Sequence, residues 1–488
     1  MIRSFSAALL LATIGSVTGA SAASPALGLH LTPCTQGHKK VPAQCGTFGV
    51  YENRAAGRII SLRVIVLKAE HPSHHAIAEI AGGPGESATS FAAFIMDGDF
   101  ENFVVPLRDR YDVLFVDDRG MGGSNPFPCD FAPAGNPSSY FRRLWPEQLV
   151  RDCRTKSVAT HDLSLYGTNN AVDDLNDVRA ALGYPKLVLD GGSYGTFFSL
   201  VYMRRHPNAV ESVILNSVSA PHFQPLPGAP NGAQKALDDL IVKCRREKVC
   251  NSRFPRFAEH FNAIVRRLDK GTLNVPVKNQ VTKRIQTVAL SKEVFVDQVR
   301  HILYAPQAAA YLPFVIERAY GRDYAPLGQM IDTVTQGFSG DLDMGSFLSY
   351  TCAEWMPFIN QRQLNFAATH SFAGDSRIRA QQHACSIWSV RPMPPAFDNP
   401  VRSNAPVLML LATDDPATPP QYGEQALRYL PNGRAILVKG AGHGVETPCT
   451  DRLVIAFVRA GSAKGLNLSQ CTLTFKPQPF ATSMKGWP

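Results

Sequence analysis

Leu187-Val188-Leu189-Asp190-Gly191-Gly192-Ser193-Tyr194-Gly195 decides how this chain is read. A short apolar run, suited to a buried strand, ends in G-x-S-x-G, a pattern that occurs once in the sequence. A helical pattern from Phe197 to Arg205 follows. Strand, sharp turn and helix are the setting in which G-x-S-x-G acts as a nucleophile elbow. The turn lifts the serine hydroxyl above the sheet. The helix N-terminus directs its partial positive charge at the reacting centre. A Cβ at either flanking glycine would clash in so tight a turn. Ser193 is therefore the candidate nucleophile.

Outward from this stretch, similar apolar runs recur: Ile59 to Leu67, Ala76 to Ala81, Val113 to Val116, Val213 to Leu215, Val407 to Leu411 and Ala435 to Val438. Runs of this kind read as central parallel strands buried on both faces. Helical patterns lie between them, the clearest from Asn170 to Leu182, with Ala171, Leu175, Val178 and Leu182 on one face. The fold class expected is α/β, with a mostly parallel sheet and its functional groups at the carboxyl ends of the strands. From 220 to 404 the alternation stops. That stretch is mostly helical and Pro-rich, and it carries 22 Lys and Arg against 15 Asp and Glu. It reads as a cap inserted between a first core part (23–219) and a second (405–488).

A serine hydroxyl needs a base, and the base needs an acid to orient it. In this class of sheet the chain order is serine, then acid, then histidine. Asp415, which opens Asp415-Pro416-Ala417-Thr418-Pro419, and His443, in Gly440-Ala441-Gly442-His443-Gly444, fill that order after the last two strands. Asp414 is the rival acid. Oxyanion donors are expected from the backbone of Tyr194 and from Gly83 in Gly82-Gly83-Pro84-Gly85.

The chain has 488 residues, 45% of them hydrophobic and 18% charged, which excludes disorder as its dominant state. No apolar run reaches the length of a membrane span. A net charge of +9 without a Lys/Arg block offers nothing for nucleic acid. Residues 1–22 read as a secretory signal peptide: Arg3, an apolar run from Ala7 to Val17, and Ala20-Ser21-Ala22 as the cleavage site. The mature protein is expected in the periplasm or outside the cell. There the ten cysteines fall in sequence-near pairs: Cys34 with Cys45, Cys129 with Cys153, Cys244 with Cys250, Cys352 with Cys385, and Cys449 with Cys471. No C-x-x-C or clustered Cys and His supports a metal, and His71, His74 and His75 read as an exposed turn. No cofactor is expected.

The Gly-Gly-Pro-Gly loop, Asp118-Arg119-Gly120-Met121-Gly122-Gly123-Ser124, the elbow, Asp415 to Pro419 and Gly442-His443-Gly444 together resemble the α/β-hydrolase family of proline iminopeptidases. The secreted tripeptidyl-aminopeptidase branch is closer still, over about Cys45 to Cys471. The resemblance implies an α/β-hydrolase fold with a helical cap, a TAP-like C-terminal segment, and release of short N-terminal pieces from peptides. A carboxylesterase or lipase-like hydrolase on the same triad is the alternative, so the partner is a small peptide or ester. The family often has a histidine where Ala81 stands, which puts the bracing of the oxyanion loop in question. It also binds the substrate's amino group with cap carboxylates. Glu354, in Cys352-Ala353-Glu354, matches that pattern, and Glu86 is a second candidate.

Overall fold

The computed structural model describes residues 27–487 apart from 72, 99, 100, 134, 223 and 224, with side chains left out at 225–229 and 338–341. The expected signal peptide lies outside the described residues. Every apolar run singled out above becomes a strand. In chain order the strands are β1 (Gly28–Gln36), β2 (Val41–Tyr51), β3 (Ile59–Leu67), β4 (Ala76–Ile80), β5 (Asp112–Val116), β6 (Leu187–Gly192), β7 (Val210–Asn216), β8 (Leu273–Lys278), β9 (Ile285–Leu290), β10 (Val407–Ala412) and β11 (Gly433–Val438).

Nine of them form one sheet in the order β1-β2-β3-β5-β4-β6-β7-β10-β11. From β5 to β11 all pairings are parallel, whereas β1, β2 and β3 join antiparallel at one edge. Strands β4, β5 and β10 are buried at every position, as helices on both faces require. The helix Thr168–Ala181 buries Ala171, Leu175 and Val178, three of the four positions expected to face the core. The sequence pattern did not single out β1 and β2. Their residues are mostly part-exposed, as befits an edge, and the Cys34–Cys45 disulfide cross-links them.

The inserted stretch has two parts. Up to about residue 341 it builds an apolar cluster of its own around Phe261, Phe295, Val315 and Ile331. That part includes the antiparallel pair β8 and β9, which the mostly helical pattern expected there did not single out. Its signature is a period of two, with Leu273, Val275 and Val277 buried between exposed Asn274 and Lys278. Beyond it, helices Met344–Glu354 and Ser376–Trp388 return to the main cluster, where Leu348, Tyr350 and Trp388 join Leu189 and Phe197.

All ten cysteines pair as the sequence spacing suggests, and no cysteine among the described residues is free. Among those residues no helix is long and apolar enough to cross a membrane. His71, His74 and His75 are exposed ahead of β4, with His71 facing Asp109 and His75 facing Glu211.

Candidate active site

Ser193 sits between β6 and the helix Tyr194–Arg205 with φ 54° and ψ −120°, a conformation that non-glycine residues seldom adopt. The turn is over-determined. Ser193 N–H donates to the Asn216 carbonyl at 2.9 Å, and the Ser193 carbonyl accepts the Thr196 hydroxyl at 2.6 Å. The flanking glycines are sterically required. A Cβ on Gly191 would lie 2.4 Å from the Gly195 carbonyl oxygen, and one on Gly195 would lie 2.4 Å from that of Ile80. Tyr194 is the first residue of the helix, so its N–H has no partner within the helix and is available to an incoming oxyanion.

Asp415 and His443 meet across the ends of β10 and β11. His443 Nδ1 lies 3.0 Å from both carboxylate oxygens of Asp415. Asp415 is 3% exposed. Its Oδ1 accepts the N–H groups of Ala417 and Thr418, and its Oδ2 the Thr418 hydroxyl, each at 2.8 Å. Burial works to raise the Asp415 pKa. The charge of His443 and these hydrogen bonds outweigh it and hold the carboxyl below its ordinary value. Asp414 turns away, forming an ion pair with Lys243 and accepting the Thr413 hydroxyl at 2.7 Å.

Three residues that the sequence did not flag hold the histidine loop. Asn216, at the end of β7, accepts the Val445 N–H at 2.8 Å and donates to its carbonyl at 3.1 Å. The Ser217 hydroxyl accepts the Gly444 N–H at 2.9 Å. Tyr304, from the inserted region, accepts the His443 N–H on its main-chain oxygen at 2.8 Å and packs its ring 4.7 Å from the imidazole. Asn216 and Ser217 carry a readable sign, a polar pair at the carboxyl end of a core strand. A main-chain contact such as that of Tyr304 carries none.

Ser193, Tyr194, Gly82, Gly83, Thr418 and His443 line one cavity of about 410 Å³. The inserted region closes its far side with Tyr304, Trp355, Arg300 and Arg377. Both arginines bond the buried Asp297.

The two residues expected to take a substrate amine are engaged elsewhere. Glu354 is 2% exposed and is not among the residues lining the cavity. It accepts the Thr168 N–H and hydroxyl, both at 2.6 Å, and burial, only partly offset by those bonds, pushes its pKa up to about 7. Glu86 does line the cavity, but its Oε2 accepts the Gly82 N–H at 2.8 Å. That bond braces the oxyanion loop from within, without the histidine that Ala81 replaces.

Comparison with known proteins agrees with this fold. A family model described as alpha/beta hydrolase fold matches residues 80–240, and one described as TAP-like protein matches residues 370–470. The chain is an α/β-hydrolase with a TAP-like segment. Serine protease Hip1 of Mycobacterium tuberculosis is 25% identical to this α/β-hydrolase over 493 residues, 90% of this chain and 91% of that one. Tripeptidyl aminopeptidase of Streptomyces lividans is 30% identical over 152 residues, 29% of this chain and 28% of that one. Carboxylesterase B of Mycobacterium tuberculosis is 24% identical over 467 residues, 86% of this chain and 85% of that one. With its fold and these relatives, the α/β-hydrolase is a serine hydrolase.

Proposed function

We propose that this hydrolase is an exo-aminopeptidase that releases short N-terminal pieces of peptides through an acyl-enzyme on Ser193. The observation that carries the reading is His443, held by the buried Asp415 and lining the same capped cavity as the elbow serine. Ser193 Oγ attacks the scissile carbonyl carbon while its proton passes to His443 Nε2. Asp415 keeps the other ring proton on Nδ1 and stabilises the imidazolium. The N–H groups of Gly83 and Tyr194 receive the charge that develops on the carbonyl oxygen. The C–N bond then breaks, and His443 returns the proton to the leaving amine. Water attacks the ester by the same path in reverse, releasing the acid and restoring the Ser193 hydroxyl.

A cavity of this size, walled on one side by the inserted region, suits a peptide end better than a folded chain. In this reading residues 1–22 direct the protein out of the cytoplasm, and the five disulfides suit that environment. The second reading, an esterase on the same three residues, draws on the similarity to a carboxylesterase over most of the chain. A panel of aminoacyl- and tripeptidyl-amides run beside acyl esters, with Ser193→Ala as control, separates the two. Ester turnover without any amide cleavage would overturn the peptidase reading.

A further inference from the structure

The wall that the inserted region sets over the cavity carries more positive charge than it neutralises. Asp297 and Arg300 come from the helix Lys292–Ile302, and Arg377 from the helix Ser376–Trp388. All three line the cavity that holds Ser193. Asp297 accepts Arg377 Nη1 on both oxygens, at 3.0 and 3.1 Å, and Arg300 Nη2 on Oδ1 at 3.3 Å. His301, next in sequence, is held neutral, its pKa pushed well below 6.5 by burial and then by Arg300. Two guanidiniums therefore share one carboxylate, which leaves a surplus of positive charge.

The surplus is least compensated at Arg377. Among the described residues it makes its hydrogen bonds through Nη1 alone, and its Nε is a buried donor with no partner. The edge formed by Nε and Nη2, which can pair with a carboxylate through two parallel bonds, is thus unused. The side chain keeps 18% exposure, so the cavity reaches it. The guanidinium stacks over Trp145, 5.1 Å from the ring centre, and the indole N–H of Trp145 is a second buried donor with no partner. Trp145 lines the same cavity. Burial outweighs Asp297 at Arg377 and lowers its pKa, whereas at Arg300 burial is outweighed by Tyr304 and Asp297. Unpaired buried donors on an undercompensated cation are best satisfied by an anion that accepts twice, and a carboxylate has that shape.

We propose that Arg377 and Trp145 bind a carboxylate of the substrate. Two sources share that chemistry: the acidic side chain of a residue in the released piece, and the terminal carboxylate of a short leaving piece. The proposal rests on the serine-hydrolase site and deepens the exopeptidase reading by naming a substrate class, acidic or short peptides. Arg300 ties this wall to the base, since it bonds the hydroxyl of Tyr304, whose ring lies 4.7 Å from the imidazole of His443. A carboxylate held here therefore helps to fix the scissile bond relative to His443.

The test measures kcat/KM on the full chain with esters, which keep the readout independent of amide cleavage. One pair, mono-4-nitrophenyl suberate and 4-nitrophenyl suberamate, places COO⁻ or CONH₂ on the acyl side. A second pair, the butyrate esters of 3-(4-hydroxyphenyl)propanoate and of its amide, places them on the leaving side. Wild type is expected to prefer the anionic member of at least one pair by on the order of tenfold to a hundredfold, the worth of hydrogen bonding to a charged group. Arg377→Met should shrink that ratio at least fivefold. Trp145→Phe, which keeps an aromatic ring and loses the N–H, should shrink it at least twofold. A general loss of activity cancels in the ratio. Should a variant fail to fold, hexanoate is expected to inhibit wild type at a tenfold lower concentration than hexanamide.

A ratio of one or less in both pairs overturns the proposal, as does a ratio that either folded variant leaves unchanged. Where a variant does not fold, hexanoate inhibiting no better than hexanamide overturns it. If peptide amides resist cleavage while the ratio holds, the exopeptidase reading fails alone. If amides are cleaved and the ratio is one, this proposal fails alone.

Discussion

Replacing Asp415 by Asn tests the site at its acid. In the native site, Oδ1 takes two backbone N–H groups and Oδ2 takes the Thr418 hydroxyl. Both oxygens lie 3.0 Å from His443 Nδ1. In Asp415→Asn the two backbone donors fix the amide oxygen at the Oδ1 position. The NH₂ then occupies the Oδ2 position, where the rotatable Thr418 hydroxyl can accept from it. It also faces His443 Nδ1 and donates to it, which moves the ring proton to Nε2. An imidazole protonated at Nε2 cannot take the Ser193 proton. The expected loss is on the order of 10⁴ in kcat, about 5.4 kcal/mol at about 1.36 kcal/mol per decade. KM should change little, since Asp415 does not line the cavity. Initial-rate kinetics on a chromogenic substrate, with a thermal melt to confirm folding, measure both. Asp414→Asn is the control. It loses a partly exposed ion pair with Lys243, worth at most about 1 kcal/mol, and should keep most of its activity. The reasoning is refuted if Asp415→Asn stays within tenfold of wild type, or if Asp414→Asn falls as far.

Ser193→Ala should abolish labelling by a fluorophosphonate probe, and a label that persists on another residue would move the nucleophile. Glu86→Ala strands the Gly82 N–H and loosens the oxyanion loop, so kcat should fall by about tenfold to a hundredfold, the effect of one poorly placed buried donor, as steady-state kinetics will show. Burial pushes the Glu354 carboxyl up to about 7 in the fold against an ordinary 4.5, so it ionises more readily unfolded. Its contribution to stability is full below about pH 4.5, declines as pH rises to about 7, and is flat above. Paired melts at pH 5 and pH 8 should therefore show Glu354→Gln gaining on wild type by up to about 3 kcal/mol at the higher pH, with kcat/KM for free-amine substrates unchanged. Losing the Cys352–Cys385 disulfide, which joins positions 33 apart, should cost about 3–4 kcal/mol by chain entropy, read as a lower denaturation midpoint.

The elbow, the acid and the histidine were legible because each follows a buried strand and their order along the chain is fixed by the fold. The sequence put Asp415 first and kept Asp414 as its rival. The two are adjacent, and only the structure turns one to His443 and the other to Lys243. The surroundings of Glu354 were not legible because Cys-x-Glu spacing fixes a position on a helix and not a direction. The residues of that helix from Gly345 onward are all buried, and Glu354 faces Thr168. Asn216 reaches the histidine loop across 229 residues of sequence, a separation no local pattern encodes. Strands β1 and β2 escaped notice because an edge strand with Pro33 and Pro42 lacks the continuous apolar run of its neighbours.

The carbonyl that receives the His443 N–H belongs to Tyr304, not to the sheet. Pocket shape and catalytic rate are therefore mechanically joined. A substitution that tilts the helix Lys292–Ile302 to admit a larger substrate drags the base with it, and the change surfaces as a slower turnover rather than only a weaker fit. Anyone redesigning this enzyme's selectivity does better to exchange side chains on an unmoved backbone than to graft a foreign lid, because the graft discards the seat of the proposed general base.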